Sequence, residues 1–578
     1  MGLDVLGIYV LIITFLFFLS IGTPIAYSIG LSALATMLVS FDALPAFSTL
    51  AQRMATGLES FSLLAIPFFI LAGQLMNSGG IAMRLIEFAK VVVGRLPGGL
   101  ALVNVTANML FGAISGSAGA SASAIGTIMT PRMKDEGYDK GFSAAINVTS
   151  ATTGLSIPPS NILIVYALAS GGTSIAALFL AGYIPGILTG LALMLVGSVY
   201  AYKKKYPVSK EHSIGDVAVA LSVLLIIVGF FYVFITSGFH WIFLIVFWFW
   251  LRSILNVTNP GIKRFQWDIP FFLLGGIIIS WIQLNTFPVW LVFPAIMAGI
   301  YFLFKNKELL TISFQTILMA IAINVYDPFH YITAGVLTLA GILFIFLHFS
   351  KDHEDASYLS GTKKLFDAIP SLMMLVVVIG GIIAGIFTAT EAAAIAVVYS
   401  LLLALGYREI SFRHLPDVIV KTVRTSGMVL LLIATSIGLS WVMSFENIPY
   451  TVSTALLSLS SDPFVILLII NLALLAVGIF MDMTPAVLVF TPIFLPIVTA
   501  QLGLDPIHFG IIMILNLNVG LCTPPVGAVL FIGCSVANLK IQDLIKPLTP
   551  FYIAMIVILL LVTYFPSISM WLPNLLGY

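Results

Sequence analysis

The chain has 578 residues, 60% of them hydrophobic and only 8% charged, with a formal net charge of +1. A soluble domain carries about 25% charged residues, so a mean hydropathy of +1.12 excludes one, and the near-zero charge offers no footing for nucleic acid. What remains is an all-α polytopic membrane protein, because in hydrocarbon a backbone must satisfy its own hydrogen bonds.

The first twenty residues are apolar but lack a basic n-region and a small-residue cleavage site, so they read as a retained first span. Gly2 does not open a myristoylation signal, since position 6 is Leu6. The small-residue stretch "FGAISGSAGASASA" (111–124) interrupts apolar sequence, and a basic loop with Arg132, Lys134 and Lys140 follows. Then comes "GLSIPPSNILIVYA" (154–167), in which Pro158 and Pro159 break a stretch otherwise fit to cross a membrane. Each proline removes a backbone donor and clashes with the turn before it.

Residues 211–360 read as an inserted bundle of about six helices in three hairpins. Their turns are "TSGFHW", "LNTFPVW" and "VYDPFHY", and the alternate loops are basic, with Arg252, Lys263, Arg264, Lys305 and Lys307. An aromatic, lipid-facing scaffold is the expectation for this part. The flanking halves are 1–210 and 361–578.

The second half repeats the first. Laid without a gap on 503–531, residues 137–165 match at seven of 29 positions, including Gly154/Gly520, Pro158/Pro524 and Pro159/Pro525. "VGIFMDMTPAVLVF" (477–490) falls where 111–124 falls. The first copy's loops carry Arg84, Lys90, Arg95, Arg132 and Lys134, whereas the matching loops at 447–463 and before Gly503 carry no Lys or Arg. Basic loops stay in the cytoplasm, so the expectation is two inverted-topology repeats. That build, with broken helices at the midplane, is the pattern of ion-coupled secondary transporters. Open carbonyls and hydroxyls at a break suit a hard cation such as Na⁺; a plain proline kink is the bland alternative. Asn147, Thr149, Thr152, Thr153, Asn516 and Asn518 precede the breaks and are candidates for a substrate cavity.

Other chemistry finds little support. The chain has no GxxxxGK[ST] phosphate loop, no HExxH and no CxxC, and its seven histidines are scattered. Cys522 and Cys534 read as small buried residues. Glu391 in "TATEAAA" reads as a helix cap, while Asp482 stays open between cap and functional acid. An intramembrane protease would need a partner acid that Asp482 lacks, so no enzyme is expected.

With the insert set aside, "PFFILAGQLMNSGGIA" (67–82), "GRLPGGLALVNV" (94–105), "FGAISGS", "GYDKGFSAA", "IPPS", "GIFTATEAAA" (385–394), "GIFMDMTPA" (478–486) and "NVGLCTPPVGAVLFIG" (518–533) resemble the large membrane subunit (M, DctM-like) of tripartite ATP-independent periplasmic (TRAP) transporters. The resemblance implies an elevator-type importer in the bacterial or archaeal cytoplasmic membrane, driven by two or more Na⁺ ions. It also implies a periplasmic substrate-binding protein, a small four-helix membrane subunit (possible to replace by 211–360) and an organic acid such as a dicarboxylate, sialic acid or sugar acid. A proton-coupled or binding-protein-independent transporter of the same fold is the alternative. The implied sodium sites are Ser115, Gly154, Ile157 and Pro159, with Ser117 in place of a donor that Gly112 lacks, and Gly478, Gly520, Thr523 and Val526. Close helix packing is the competing role for Ser115 and Ser117.

Overall fold

Both double-proline segments end a helix. The computed structural model describes residues 3–78, 80–206, 357–383, 385–407, 410, 413–524 and 527–578. The three expected hairpins of 211–360 therefore lie outside the described residues, apart from the start of one helix at Ser357, as do Pro525 and Val526. Residues 1–90, 96–208 and 371–578 form one compact unit; the second unit comprises 91–95 and 209–370.

The first half runs α1 (Leu3–Ser20), α2 (Ile25–Ser40), α3 (Ala43–Gly57), a 3₁₀ turn (Phe61–Leu64), α4 (Ala65–Ser78), α5 (Ile81–Val93), α6 (Gly99–Ser115), α7 (Ala118–Asp135), α8 (Lys140–Thr153), α9 (Asn161–Ala169) and α10 (Ile175–Lys204). The second runs α11 (Ser357–Ile383), α12 (Ala389–Gly406), α13 (Leu415–Phe445), α14 (Ile448–Leu459), α15 (Pro463–Phe480), α16 (Met483–Ala500), α17 (Pro506–Leu521), α18 (Ala528–Ala537), α19 (Ile541–Tyr564) and α20 (Ser567–Leu575). No strand occurs among the described residues. Six of these helices are long and apolar enough to cross a membrane. The bent pair α3 and α4, turned by 65°, makes a possible seventh span. The chain is a multi-pass helical membrane protein.

The offset of 366 residues between Gly137 and Gly503 carries through the helices. It takes the last residues of α2 and α5, Ser40 and Val93, onto those of α12 and α14, Gly406 and Leu459. It takes the first residue of α10, Ile175, onto that of α19, Ile541. Asp139 and Asp505, identical at that offset, both act as N-caps: Asp139 accepts from the Phe142 amide at 2.9 Å and Asp505 from the Ile507 amide at 2.7 Å. A cap of this kind contributes about 1 kcal/mol. Among the described residues the halves differ at the bend between α3 and α4. Where the first copy bends between α3 and α4, just before Pro67, the second has one 31-residue helix, α13. Pro67 falls in the first turn of α4, where the amide it lacks would have no partner within the helix.

Helices α2, α3 and α13 share an apolar core around Ile29, Met37, Leu50, Leu439 and Val442. The second hairpin reaches this core through Val489 of α16, and the broken helices exchange partners. The short α9 of the first copy packs on α16 and α17, and the short α18 of the second packs on α7 and α8.

Candidate functional site

Each copy contributes a hairpin and a broken helix, pressed together through glycine. A Cβ built on Gly154 would lie 2.4 Å from the Cα of Gly112, and one built on Gly520 would lie 2.6 Å from the Cα of Gly478. Real Cβ atoms do not approach so closely, so only glycine lets these backbones meet. Gly112 thus has a positive role in contact with the break, beyond the lack of a donor that sequence reasoning saw.

The hairpin tips follow from the same economy. Gly116, with φ of +61°, ends α6, and a Cβ there would press on the Asn161 amide at 2.7 Å. Ser117 then caps α7, accepting from the Ala120 amide at 3.2 Å. In the second copy Asp482 caps α16, accepting from the Met483 amide at 2.9 Å. Glu391 and Thr388 form a capping box at the start of α12, with the Thr388 amide donating to the carboxylate at 2.8 Å.

At the first break, the Leu155 and Ser156 amides close short turns onto Thr152 and Thr153 at 3.1 Å each, and the chain then leaves the helical ladder until Asn161. Ser160 does not cap α9; its hydroxyl donates to the Leu155 carbonyl instead. At the second break, the Thr523 amide reaches the Gly520 carbonyl at 2.9 Å and its hydroxyl donates to Val519 at 2.7 Å. Gly527 begins α18 without a side-chain cap. A buried hydrogen bond joins the copies here: the Asn518 amide donates to the Ser156 hydroxyl at 2.8 Å.

A cavity of about 370 Å³ lies between the hairpin tips and α4. Ser115, Ser117, Asn161, Thr425, Gln74 and Asp482 are among its polar lining, with Asn77 and Thr484. The first turns of α7, α9, α16 and α18 all border it through Ala118, Asn161, Met483 and Ala528. A helix N-terminus carries about half a positive charge; those of α9 and α18 border the cavity without a side-chain cap, while Ser117 and Asp482 cap those of α7 and α16. A second cavity, of about 620 Å³, lies between the 3₁₀ turn, the segment 171–176 and the start of α12.

Ser115 and Ser117 border the smaller cavity. Gly154, Ile157 and Pro159 lie in the first break, and Gly478, Gly520 and Thr523 gather at the second. Val526 lies outside the described residues. Thr152, Thr153, Asn516 and Asn518 are buried beside the breaks and border neither of these cavities. The Asn516 amide donates to the Asn471 side-chain oxygen at 2.8 Å, and Asn147 belongs to a fully buried polar network. In that network Asn108 donates toward Asn104, Asn147 and Ser150 and accepts from Ser121 at 2.7 Å, tying α6, α7 and α8 together. Sequence reasoning passed over Asn104 and Asn108. Their spacing of four within an apolar helix was the available signal, since it puts both amides on one face.

The donors at the breaks are oxygens of hydroxyls and carbonyls, all uncharged. Ser115 commits its hydroxyl only to a long 3.4 Å contact with the Ser117 carbonyl, and Thr523 keeps its oxygen lone pairs after donating its proton. Such sets fit a hard monovalent cation; divalent ions ask for carboxylates. Among the described residues no three His, Cys, Asp or Glu side chains gather, and both cysteines are free and buried.

Two hairpins and two interrupted helices thus border a polar cavity in this helical membrane protein. The family described as the DctM component of tripartite ATP-independent periplasmic transporters matches residues 12–347 and 294–568, and the chain belongs to this family of TRAP large permeases. It is 41% identical over 568 residues to the uncharacterised protein YgiK of Salmonella typhimurium, covering 98% of this chain and 97% of that one. It is 33% identical to the isethionate TRAP transporter permease DctMQ of Oleidesulfovibrio alaskensis, covering 96% of this chain and 65% of that one. It is 31% identical to the C4-dicarboxylate TRAP large permease DctM of Pseudomonas aeruginosa, covering 95% and 94%.

Proposed function

We propose that this TRAP permease imports a small organic anion across the inner membrane, coupled to Na⁺, from a periplasmic binding protein and with a small membrane subunit. The observation that carries the reading is the convergence of four helix N-termini on one polar cavity beside two breaks of uncharged oxygens. Each N-terminus favours an anion by about 0.3–1 kcal/mol when exposed, and by more when water is excluded. The α9 and α18 termini lack side-chain caps, so their amides are available to a carboxylate or sulfonate. Asp482 adds an acceptor for a substrate hydroxyl.

Ser115 and Ser117 with the carbonyls of Gly154, Ile157 and Pro159 would hold one Na⁺. Gly478, Gly520 and Thr523, with Val526, would hold another. Coupling then has a physical basis: each ion sits where a hairpin meets a break, so loading it fixes the walls of the anion cavity. Isethionate and C4-dicarboxylate relatives support the anion class. A fused DctMQ relative supports a need for the small subunit, supplied separately or by the chain's own residues 211–360.

A proton-coupled cycle would draw on Asp482, the one ionisable side chain bordering the smaller cavity among the described residues. Proteoliposomes discriminate the two. Uptake of an organic acid presented by the binding protein should follow an inward Na⁺ gradient and vanish when K⁺ replaces Na⁺. Uptake that follows a pH gradient in Na⁺-free buffer would replace this reading with the protonic one.

A further inference from the structure

The two breaks occupy matching sequence positions but are held differently. Tyr552 sits on α19, behind the second break, and its phenol donates to the carbonyl of Cys522 while also meeting the side chain of Thr523. The Cys522 thiol is fully buried against the Val148 carbonyl of α8 at 3.6 Å. That residue is thus gripped from two helices, one at its carbonyl and one at its side chain. At the 366-residue offset Tyr552 corresponds to Gly186, Cys522 to Ser156 and Thr523 to Ile157. A Cβ on Gly186 would lie 2.6 Å from Ile157, and one on Gly182 would lie 2.4 Å from the Ser156 carbonyl. The first break is therefore supported by bare helix backbone, and the second by a phenol.

We infer that Tyr552 is the positioning residue of the second break: its hydrogen bond fixes the Cys522–Thr523 peptide and so sets the affinity of the Na⁺ site built on Gly478, Gly520 and Thr523. This rests on the sodium reading above and goes beyond it, because it makes the two ion sites unequal. The first has no side chain in the place of Tyr552, so the loss of this phenol acts on one site alone. Tyr564 provides the comparison. It lies on the same helix and donates to a carbonyl, that of Phe464 at 3.1 Å, away from the break.

The test is binding of radiolabelled Na⁺ to the purified full-length chain, with melting curves in Na⁺, Li⁺ and choline, for the native protein, Tyr552→Phe and Tyr564→Phe. Tyr552→Phe keeps the ring and should raise the half-saturating Na⁺ concentration about threefold to tenfold, the worth of one hydrogen bond. It should also shift the Li⁺/Na⁺ preference while the melting point in choline stays near native. Tyr564→Phe should match the native protein in every curve. Native-like Na⁺ binding by Tyr552→Phe, or a lowered melting point in choline with unchanged half-saturation, overturns the inference. Absence of saturable Na⁺ binding in the native chain removes the sodium reading and this inference with it.

Discussion

Gly112 and Gly154 touch backbone to backbone, and a Cβ on Gly154 would fall 2.4 Å from the Cα of Gly112. The contact holds the first hairpin against the first break, and Gly478 with Gly520 does the same in the second copy. Gly154→Ala and Gly520→Ala should each cost about 1–3 kcal/mol by overpacking and should abolish Na⁺-dependent uptake. Gly427, on α13, has open space where a Cβ would go, so Gly427→Ala should be neutral or stabilising by up to about 1 kcal/mol. Melting points of the three variants in detergent check this ordering.

Ser156 and Asn518 tie one break to the other copy through a buried 2.8 Å hydrogen bond. Removing one partner leaves a buried polar group unsatisfied, at about 1–3 kcal/mol. Ser156→Ala and Asn518→Leu should each lower the melting point, and the double variant should lose less than the sum. Strict additivity in that cycle would mean that the two groups do not interact.

Asn108 is the centre of the network joining α6, α7 and α8, and it is wholly buried. Asn108→Ala leaves the Ser121 hydroxyl and the Asn147 side-chain oxygen short of a partner and opens a small cavity. A loss of at least about 2 kcal/mol is expected, together with easier proteolysis of the loop at 136–139. An unchanged melting curve would show the network to be dispensable.

Glu391 caps the start of α12 together with Thr388. Glutamine serves equally in a capping box, so Glu391→Gln should leave Na⁺ binding and uptake at native levels. Thr388→Ala should cost about 1 kcal/mol of stability. Loss of Na⁺ dependence in Glu391→Gln would bring this acid back into the mechanism.

Much of this was legible in the residues because the signals were steric. Paired prolines cannot continue a helix, so the breaks after Thr153 and Leu521 could be read directly. Asp139 and Asp505 announced the helices they cap. The repeat of the outer helices was not legible: α2 and α12 coincide in position, but lipid-facing and core surfaces accept almost any apolar residue, which leaves two identities in that stretch, Ala26/Ala392 and Ile29/Ile395. Which polar groups reach a cavity was not legible for a similar reason. Asn516 and Asn518 are polar and near a break, yet their amides serve packing through Asn471 and Ser156. Polarity alone does not tell a lining group from an internal tie; that depends on which helix face the neighbour covers.

The central claim is that uncharged oxygens at the two breaks bind Na⁺. The most direct measurement is the melting point of the purified chain titrated with Na⁺ against choline at constant ionic strength, repeated for Ser115→Ala and Thr523→Ala. The account expects a saturable rise with Na⁺ alone, weakened by each substitution, because ligand that binds only the folded state stabilises it by mass action. Identical curves in Na⁺ and choline, or a Na⁺ response indifferent to both substitutions, would contradict it.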